Sequence, residues 1–93
     1  MTAASPVIDN AAHHRFEITV DGAVAFASYR RADGIVTIAH VEAPPQLRGT
    51  GAASRLMQGI MERLRAEGVK VVPHCSYAAA WLKRHQEFAD MLA

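Results

Sequence analysis

The chain has 93 residues, of which 51% are hydrophobic, and ten basic residues stand against nine acidic ones for a formal net charge of +1. A chain of this length folds as one domain, and its balanced charge without a basic run argues against nucleic-acid binding. No apolar stretch approaches the length of a membrane span, and the first residues lack the pattern of a secretory signal. We therefore expect a soluble cytoplasmic protein that is a monomer or a weak homodimer.

The ends of the chain and its metal-binding residue types set further limits. Residues 1–12 are small and polar and are interpreted as a flexible N-terminal leader, so the folded domain is expected over residues 13–93. A single cysteine, Cys75, excludes an internal disulfide and a thiolate-rich zinc site. The paired histidines His13 and His14 have no third ligand at a useful spacing, so we expect no metal site.

The first half of the domain has the alternating pattern of β-strands. Apolar and polar residues alternate over 16–20, a second strand follows over 23–29, and residues 35–41 are rich in β-branched side chains. Asp-Gly pairs at 21–22 and 33–34 separate these segments and are typical of hairpin turns. The pattern predicts an antiparallel three-stranded meander that ends before a pair of prolines.

The second half has a helical period. Apolar residues after position 51 recur on one face of a helix that Gly68 ends, namely Ala53, Leu56, Met57, Ile60, Met61 and Leu64. Residues 69–72 form a short strand, which a right-handed crossover would place parallel to the third strand. A helical segment over 77–85 and a last turn over 87–92 follow. The predicted order is β-β-β-α-β-α-α, a small α/β domain with helices packed on the sheet.

Two glycines, Gly49 and Gly51, stand directly before the first helix. Glycine takes conformations that other residues avoid, and the first N–H groups of a helix have no partner within it and carry partial positive charge. This combination predicts a site for a phosphate or pyrophosphate, with a simple helix-capping loop as the alternative. The third glycine of a dinucleotide fingerprint and the lysine of a Walker loop are both missing.

The loop and the end of the chain resemble one family. The spacing Gln46-x-x-Gly49-x-Gly51 matches the Q/R-x-x-G-x-G/A signature of the GCN5-related N-acetyltransferases, whose loop holds the pyrophosphate of acetyl-coenzyme A. Residues 72–90 are similar to the end of its minimal members, although Gln86 stands where proline is usual. The resemblance covers residues 16–92 and implies an acetyl-CoA-dependent N-acetyltransferase of this fold.

The resemblance also implies which residues contact acetyl-CoA. Main-chain groups of the loop would hold the pyrophosphate, and the end of the third strand would line the pantetheine arm. The residues so assigned are Val41, Arg48, Gly49, Thr50, Gly51, Ala52 and Ala53. Lys83 and Arg84 are weaker candidates for the nucleotide phosphate. The acceptor is an amine of unknown identity, and the lack of the elements that form an acceptor pocket in larger members favours a protein or peptide amine.

Three residues are candidates for the chemistry at the acyl carbon. His40 and His74 stand near the ends of the third and fourth strands, and histidine is the side chain that most often moves a proton in catalysis, so either could do so here. The alternatives are a His40 that bonds a backbone carbonyl and a His74 that faces solvent. Cys75 either accepts the acetyl group as an acyl-enzyme or is simply buried, and direct and covalent transfer both stay open.

A second function is compatible with the same pattern. A non-catalytic acyl-CoA-binding or sensing module would keep the phosphate loop but would have no means to deliver an acceptor. Such a module binds the cofactor without turnover, whereas an enzyme releases coenzyme A when an amine is present.

Overall fold

The computed structural model describes residues 6–93 as a five-stranded sheet with two α-helices packed on it. The strands are β1 Ile8–Asn10, β2 Arg15–Val20, β3 Ala23–Ala32, β4 Ile35–Glu42 and β5 Lys70–Pro73. The helices are α1 Ala52–Glu67 and α2 Ser76–Lys83, and short 3-10 turns cover Ala11–His13, Pro45–Leu47 and Gln86–Met91. Neighbouring strands are antiparallel except β4 and β5, which are parallel. The predicted fold class is therefore confirmed.

The meander is set by its two tight turns. Asp21 and Gly22 have φ of 50° and 79°, and Asp33 and Gly34 have φ of 54° and 76°. Two consecutive residues in the left-handed region form the type I′ turn, whose twist matches that of the flanking strands. These turns fix the register of β2, β3 and β4, and hence which side chains face the helices.

The first strand, β1, corrects the expectation for the leader. Composition alone predicted little structure for residues 1–12, yet Ile8 and Asp9 pair with Glu17 and Phe16 of β2. The Tyr29 hydroxyl also donates a hydrogen bond to the Asp9 carboxylate. These partners are distant in sequence, so the local composition does not reveal the strand. Residues 1–5 of the proposed leader lie outside the described residues.

The core lies between one face of the sheet and the two helices. Buried residues alternate along β2 and β3 and meet the apolar stripe of α1 and the aromatic side of α2. Among residues 6–93, no helix or strand packs on the opposite face of the sheet, which we call the open face. It carries, among others, Arg15, Glu17, Phe26, Ser28, His40 and Glu42. No helix of the described part is long and apolar enough to cross a membrane.

A β-bulge in β4 decides which residues face the helices near the end of that strand. Tyr29 lies opposite Ile38, but Ser28 lies opposite His40, so Ala39 is an extra residue in β4. A bulge of this kind reverses the alternation of side chains beyond it. His40 therefore points to the open face beside Ser28, and Val41 packs against the core.

Candidate functional site

The two parallel strands separate at Ile38. Their pairing runs from Ile35 opposite Lys70 to Ile38 opposite Pro73, where β5 ends while β4 continues to Glu42. The Ile38 carbonyl accepts hydrogen bonds from the N–H groups of both His74 (3.0 Å) and Cys75 (3.1 Å), and the chain then turns into α2. The alternation of the ladder directs the Val41 N–H and C=O away from β3 and into the gap.

A cleft of about 480 Å³ lies along this gap, and we call it the strand cleft. It is lined by His40, Val41, Glu42, Ala43, Arg48, Ala53 and Tyr77. A second cleft of about 270 Å³, the loop cleft, lies over the glycine loop. It is lined by Ala43, Leu47, Arg48, Gly49, Gly51, Ala52, Ala53, Ser54 and Tyr77. Four residues line both clefts, so the two form one continuous groove from the start of α1 to the end of β4.

Several residues of the glycine loop that line the loop cleft have main-chain N–H groups that are unpaired within the described chain. Gly49 and Gly51 have φ of 79° and 82°, a conformation that side chains with a Cβ rarely adopt. In the part of the chain that the structure describes, the N–H groups of Gly49, Gly51, Ala53 and Ser54 have no hydrogen-bond partner. Unpaired N–H groups at a helix N-terminus attract an anion, which is the predicted property of this loop.

The hydroxyl of Thr50 makes its hydrogen bonds within the loop. Its hydroxyl donates to the Leu47 carbonyl at 2.5 Å and accepts the Ala52 N–H at 3.3 Å. The hydroxyl proton is therefore used within the loop. Thr50 thereby stabilises the shape of the loop. It could contact a ligand only through the lone pairs of its hydroxyl oxygen or through its main chain.

One cationic side chain and a tyrosine complete the groove. Arg48 is exposed, donates from Nε to the Ala43 carbonyl at 3.4 Å and lines both clefts. Tyr77 also lines both, and burial raises the pKa of its hydroxyl, an effect that the nearby Arg84 partly offsets. The sequence offers two roles for Tyr77, a core aromatic with a polar tip or a proton donor to the departing thiolate, and it is the second residue of α2.

Among residues 6–93, His40 is not bonded to a backbone carbonyl, which was the alternative considered from sequence. Its Nε2 lies 3.0 Å from Oε1 of Glu42, and the two side chains are 58% and 56% exposed. Both face the open side of the sheet and both line the strand cleft. Sequence reasoning missed Glu42, although two residues with i, i+2 spacing on a strand share one face.

Cys75 and His74 stand near the groove but line neither cleft. Cys75 is the N-cap residue of α2 and is half-buried against the core. His74 is exposed, and its N–H is shared between the Ile38 carbonyl at 3.0 Å and the Val72 carbonyl at 3.1 Å. No group of three metal-ligating side chains occurs among residues 6–93.

Comparison with known proteins agrees with this geometry. A family model described as GCN5-related N-acetyl-transferase matches residues 15–91. The NMR solution structure of a GCN5-like candidate N-acetyltransferase from Staphylococcus aureus covers 94% of this chain and 86% of its own, with a TM-score of 0.72 and 24% identity, which shows a shared fold. No curated protein matches the chain significantly. Because the family match spans nearly all of the described residues, this chain belongs to the GCN5-related N-acetyltransferase family.

Proposed function

We propose that this protein is an acetyl-CoA-dependent N-acetyltransferase that transfers the acetyl group to an amine. One observation carries the proposal: Gly49 and Gly51, whose N–H groups are unpaired within the described residues, line a groove that continues along the gap between β4 and β5. The loop suits a pyrophosphate and the gap suits an extended pantetheine arm. Membership of the family supports acetyltransferase activity.

The residues present fit this cosubstrate. A Cβ built on Gly49 or Gly51 would meet no protein atom within 4 Å, so the space on this side of the loop is free for a ligand. We assign the pyrophosphate to the N–H groups of Gly49, Gly51 and Ala53, together with the Arg48 guanidinium. Thr50 and Ala52 complete the loop. The Val41 main chain, directed into the gap, offers one donor and one acceptor to the amides of the pantetheine arm.

Acetyl-CoA supplies an activated thioester. The protein must keep the acceptor amine uncharged and move protons. His40 is our proposed proton acceptor on the open face. Tyr77 is the proposed donor to the departing thiolate, because its raised pKa keeps its hydroxyl protonated at neutral pH. Cys75 and His74 remain proposed contributors. Since neither lines a cleft, we favour direct transfer over an acyl-enzyme at Cys75.

Calorimetric titration with acetyl-CoA and with coenzyme A tests the proposal, followed by intact-mass measurement and an assay of thiol release with a panel of amines. We expect binding of both compounds and amine-dependent release of coenzyme A. Cys75→Ala distinguishes direct from covalent transfer. Direct transfer predicts that the variant keeps most of its turnover. An acetyl adduct that forms only when Cys75 is present would establish the covalent route.

Two other outcomes have definite meanings. Binding without release of coenzyme A for any amine would favour the acyl-CoA-sensing module. No binding of either compound would remove the assignment of the loop and the enzymatic function with it.

A further inference from the structure

The strand β3 extends beyond its neighbour β2. Pairing with β2 stops at Ser28, whereas β3 continues to Ala32. The N–H of Tyr29 makes the last main-chain bond on this side, 2.9 Å to the carbonyl of His14. Residues 29–32 therefore form an edge of the sheet on the side of β2, although β4 pairs with them on the other side.

The alternation of the ladder identifies the main-chain groups on this edge. In an antiparallel strand the N–H and C=O groups of every second residue point to the same side, so those of Arg31 point the same way as those of Tyr29. Within residues 6–93, the C=O of Tyr29 and both main-chain groups of Arg31 have no main-chain hydrogen-bond partner. Two acceptors and one donor are thus available to pair with an added strand.

A cavity of about 590 Å³ lies beside these groups, and we call it the edge cavity. It is lined by Asp9, Ala11, His14, Tyr29, Arg30 and Arg31. These residues belong to β1, the turn before β2 and the end of β3, so the cavity occupies the place where β2 would continue. None of them lines the strand cleft or the loop cleft, and the edge cavity is therefore separate from the groove.

The helix side of the edge cavity is a wall of paired side chains. The Tyr29 hydroxyl donates to one oxygen of the Asp9 carboxylate, and Nη2 of Arg31 lies 3.3 Å from the other. Nη1 of Arg31 also donates to Glu67 of α1 at 2.9 Å. The charges of Asp9 and Arg31 are therefore already balanced within the protein, so neither calls for a charged ligand.

Arg30 is different, because its charge is not balanced. Its side chain is exposed and lies on the open face opposite Thr37, and it has no ion pair among the described side chains. A residue added directly across from Arg30 would belong to a non-hydrogen-bonded pair, since Tyr29 and Arg31 make the bonds on this side. The Cβ atoms of such a pair are about 4.5–5.5 Å apart, and opposite charges there are favourable. A carboxylate is therefore favoured at that position.

A second copy of this chain fits the edge poorly. Two such edges related by a two-fold axis can pair their free main-chain groups only with the axis at Arg30 or at Arg31. In the first register Arg30 lies across from its own equivalent, and in the second Arg31 does. Like charges directly across a ladder are destabilising. The edge therefore favours a different chain that carries negative charge.

We propose that the edge over residues 29–32 docks an extended, acidic peptide segment of another protein, which adds a strand beside β3. The main chain of the segment donates to the carbonyls of Tyr29 and Arg31 and accepts the N–H of Arg31, while an aspartate or glutamate pairs with Arg30. Strand addition of this kind takes its affinity from main-chain bonds and its specificity from alternate side chains. The site is independent of acetyl transfer in the groove.

The main-chain part of the proposal is tested with a capped tetrapeptide in which valine and glutamate alternate, titrated into isotope-labelled protein. With a glutamate across from Arg30, the valine N–H groups point towards β3. We expect the amide resonances of residues 29–32 to shift and the Arg31 amide to exchange with solvent several-fold more slowly. N-methylation of the valines removes the donors that face β3 and should abolish both effects. N-methylation of the glutamates, whose N–H groups point away from β3, is the matched control and should preserve them.

The charge part is tested by substitution. Arg30→Glu replaces an opposite-charge pair by a like-charge pair across the ladder and should weaken binding of the glutamate peptide about fivefold or more. Arg55→Glu is the matched control, because Arg55 is also exposed but lies on α1 outside the edge cavity. It should leave the affinity nearly unchanged, and a peptide of alternating valine and lysine should not bind.

Several results would overturn the inference. Equal binding of the valine-methylated peptide would mean that main-chain pairing has no role, and equal weakening by Arg30→Glu and Arg55→Glu would mean that the attraction is not specific to the edge. Protection of the Arg31 amide that grows with protein concentration and needs no peptide would identify a second copy as the occupant instead.

Coenzyme A separates this inference from the proposed function. Saturating coenzyme A should leave peptide binding unchanged, because the edge cavity and the groove share no lining residue. Displacement of the peptide by coenzyme A would place the peptide in the groove and overturn the inference. A protein that binds the peptide but not coenzyme A would support the inference and remove the proposed function.

Discussion

Nε1 of Trp81 donates a hydrogen bond of 2.8 Å to the hydroxyl of Ser54, and this bond joins the two helices that border the groove. Trp81 is 1% exposed, so its N–H has no access to water in the folded state. The His85 ring stacks on the indole with centroids 3.6 Å apart and fixes its plane. Ser54 belongs to the first turn of α1, directly after the glycine loop. The position of the loop is thus coupled to α2.

The first prediction concerns this bond. Ser54→Ala leaves the buried Trp81 N–H without a partner and is expected to lower the free energy of unfolding by about 1–3 kcal/mol. Urea denaturation followed by circular dichroism measures the change. A double-mutant cycle with Trp81→Phe provides the control, because Ser54→Ala should be nearly neutral where the indole N–H is absent. An equal loss in both backgrounds would show that the bond contributes nothing specific.

The second prediction concerns Gly59 in the middle of α1. Alanine is favoured over glycine inside a helix by about 1 kcal/mol, but a Cβ on Gly59 would lie 2.3 Å from Cγ2 of Val7. We expect Gly59→Ala to lower the melting temperature, because the chain before β1 must move away from the helix. In a Val7→Ala background the clash with Cγ2 disappears but the Cβ of residue 7 stays 3.0 Å from the added methyl group, so the same substitution should lower the melting temperature less. Amide exchange at Ile8 would report the displacement directly.

Much of the fold follows from sequence because its signals are local. The two Asp-Gly turns, the apolar stripe of α1 and the end of that helix at Gly68 depend on residues close together in the chain. β1 could not be predicted in the same way. It is only three residues long, and it depends on pairing with β2 and on the bond from Tyr29 to Asp9 across 20 positions.

The site also has one part that the sequence predicts and one part that it does not. The loop at Gly49 and Gly51 is recognisable because its chemistry lies in consecutive residues. The pairing of His40 with Glu42 on the open face requires the bulge at Ala39, which shifts the alternation of β4 by one residue and has no clear signature in the sequence. A simple alternation continued from Ile38 would have placed His40 in the core.

The third prediction tests the glycine loop by substitution. Gly49→Glu places a bulky carboxylate where the pyrophosphate is proposed to bind, and both its volume and its charge oppose an anionic ligand. We expect calorimetric binding of coenzyme A to be lost. Gly22→Glu is the matched control, since Gly22 has the same φ of 79° and equal free space but lies in the hairpin between β2 and β3.

The control separates strain from site chemistry. Both substitutions force a side chain into the left-handed region, so similar losses of stability are expected in both variants. Only Gly49→Glu should lose coenzyme A. Retained binding in Gly49→Glu, at a stability equal to that of the control, would contradict the assignment of the loop.

The last prediction concerns alkaline pH and the two tyrosines of the chain. Burial raises the pKa of Tyr29 above its ordinary value of 10.0, and the Asp9 carboxylate adds to the effect. Burial likewise raises the pKa of Tyr77. A group whose folded pKa is raised contributes stability that is complete below its unfolded pKa and is lost as the pH rises through the folded pKa.

The free energy of unfolding should therefore be flat up to about pH 10 as far as the tyrosines contribute, and it should fall above that pH. Tyr29→Phe removes one of the two contributions, so its stability should be lower at pH 8 but should fall less steeply above pH 10. Phenolate absorbance near 295 nm in the native protein should rise later than in the urea-unfolded chain. Coincident titration of the native and unfolded forms would contradict the burial of both hydroxyls.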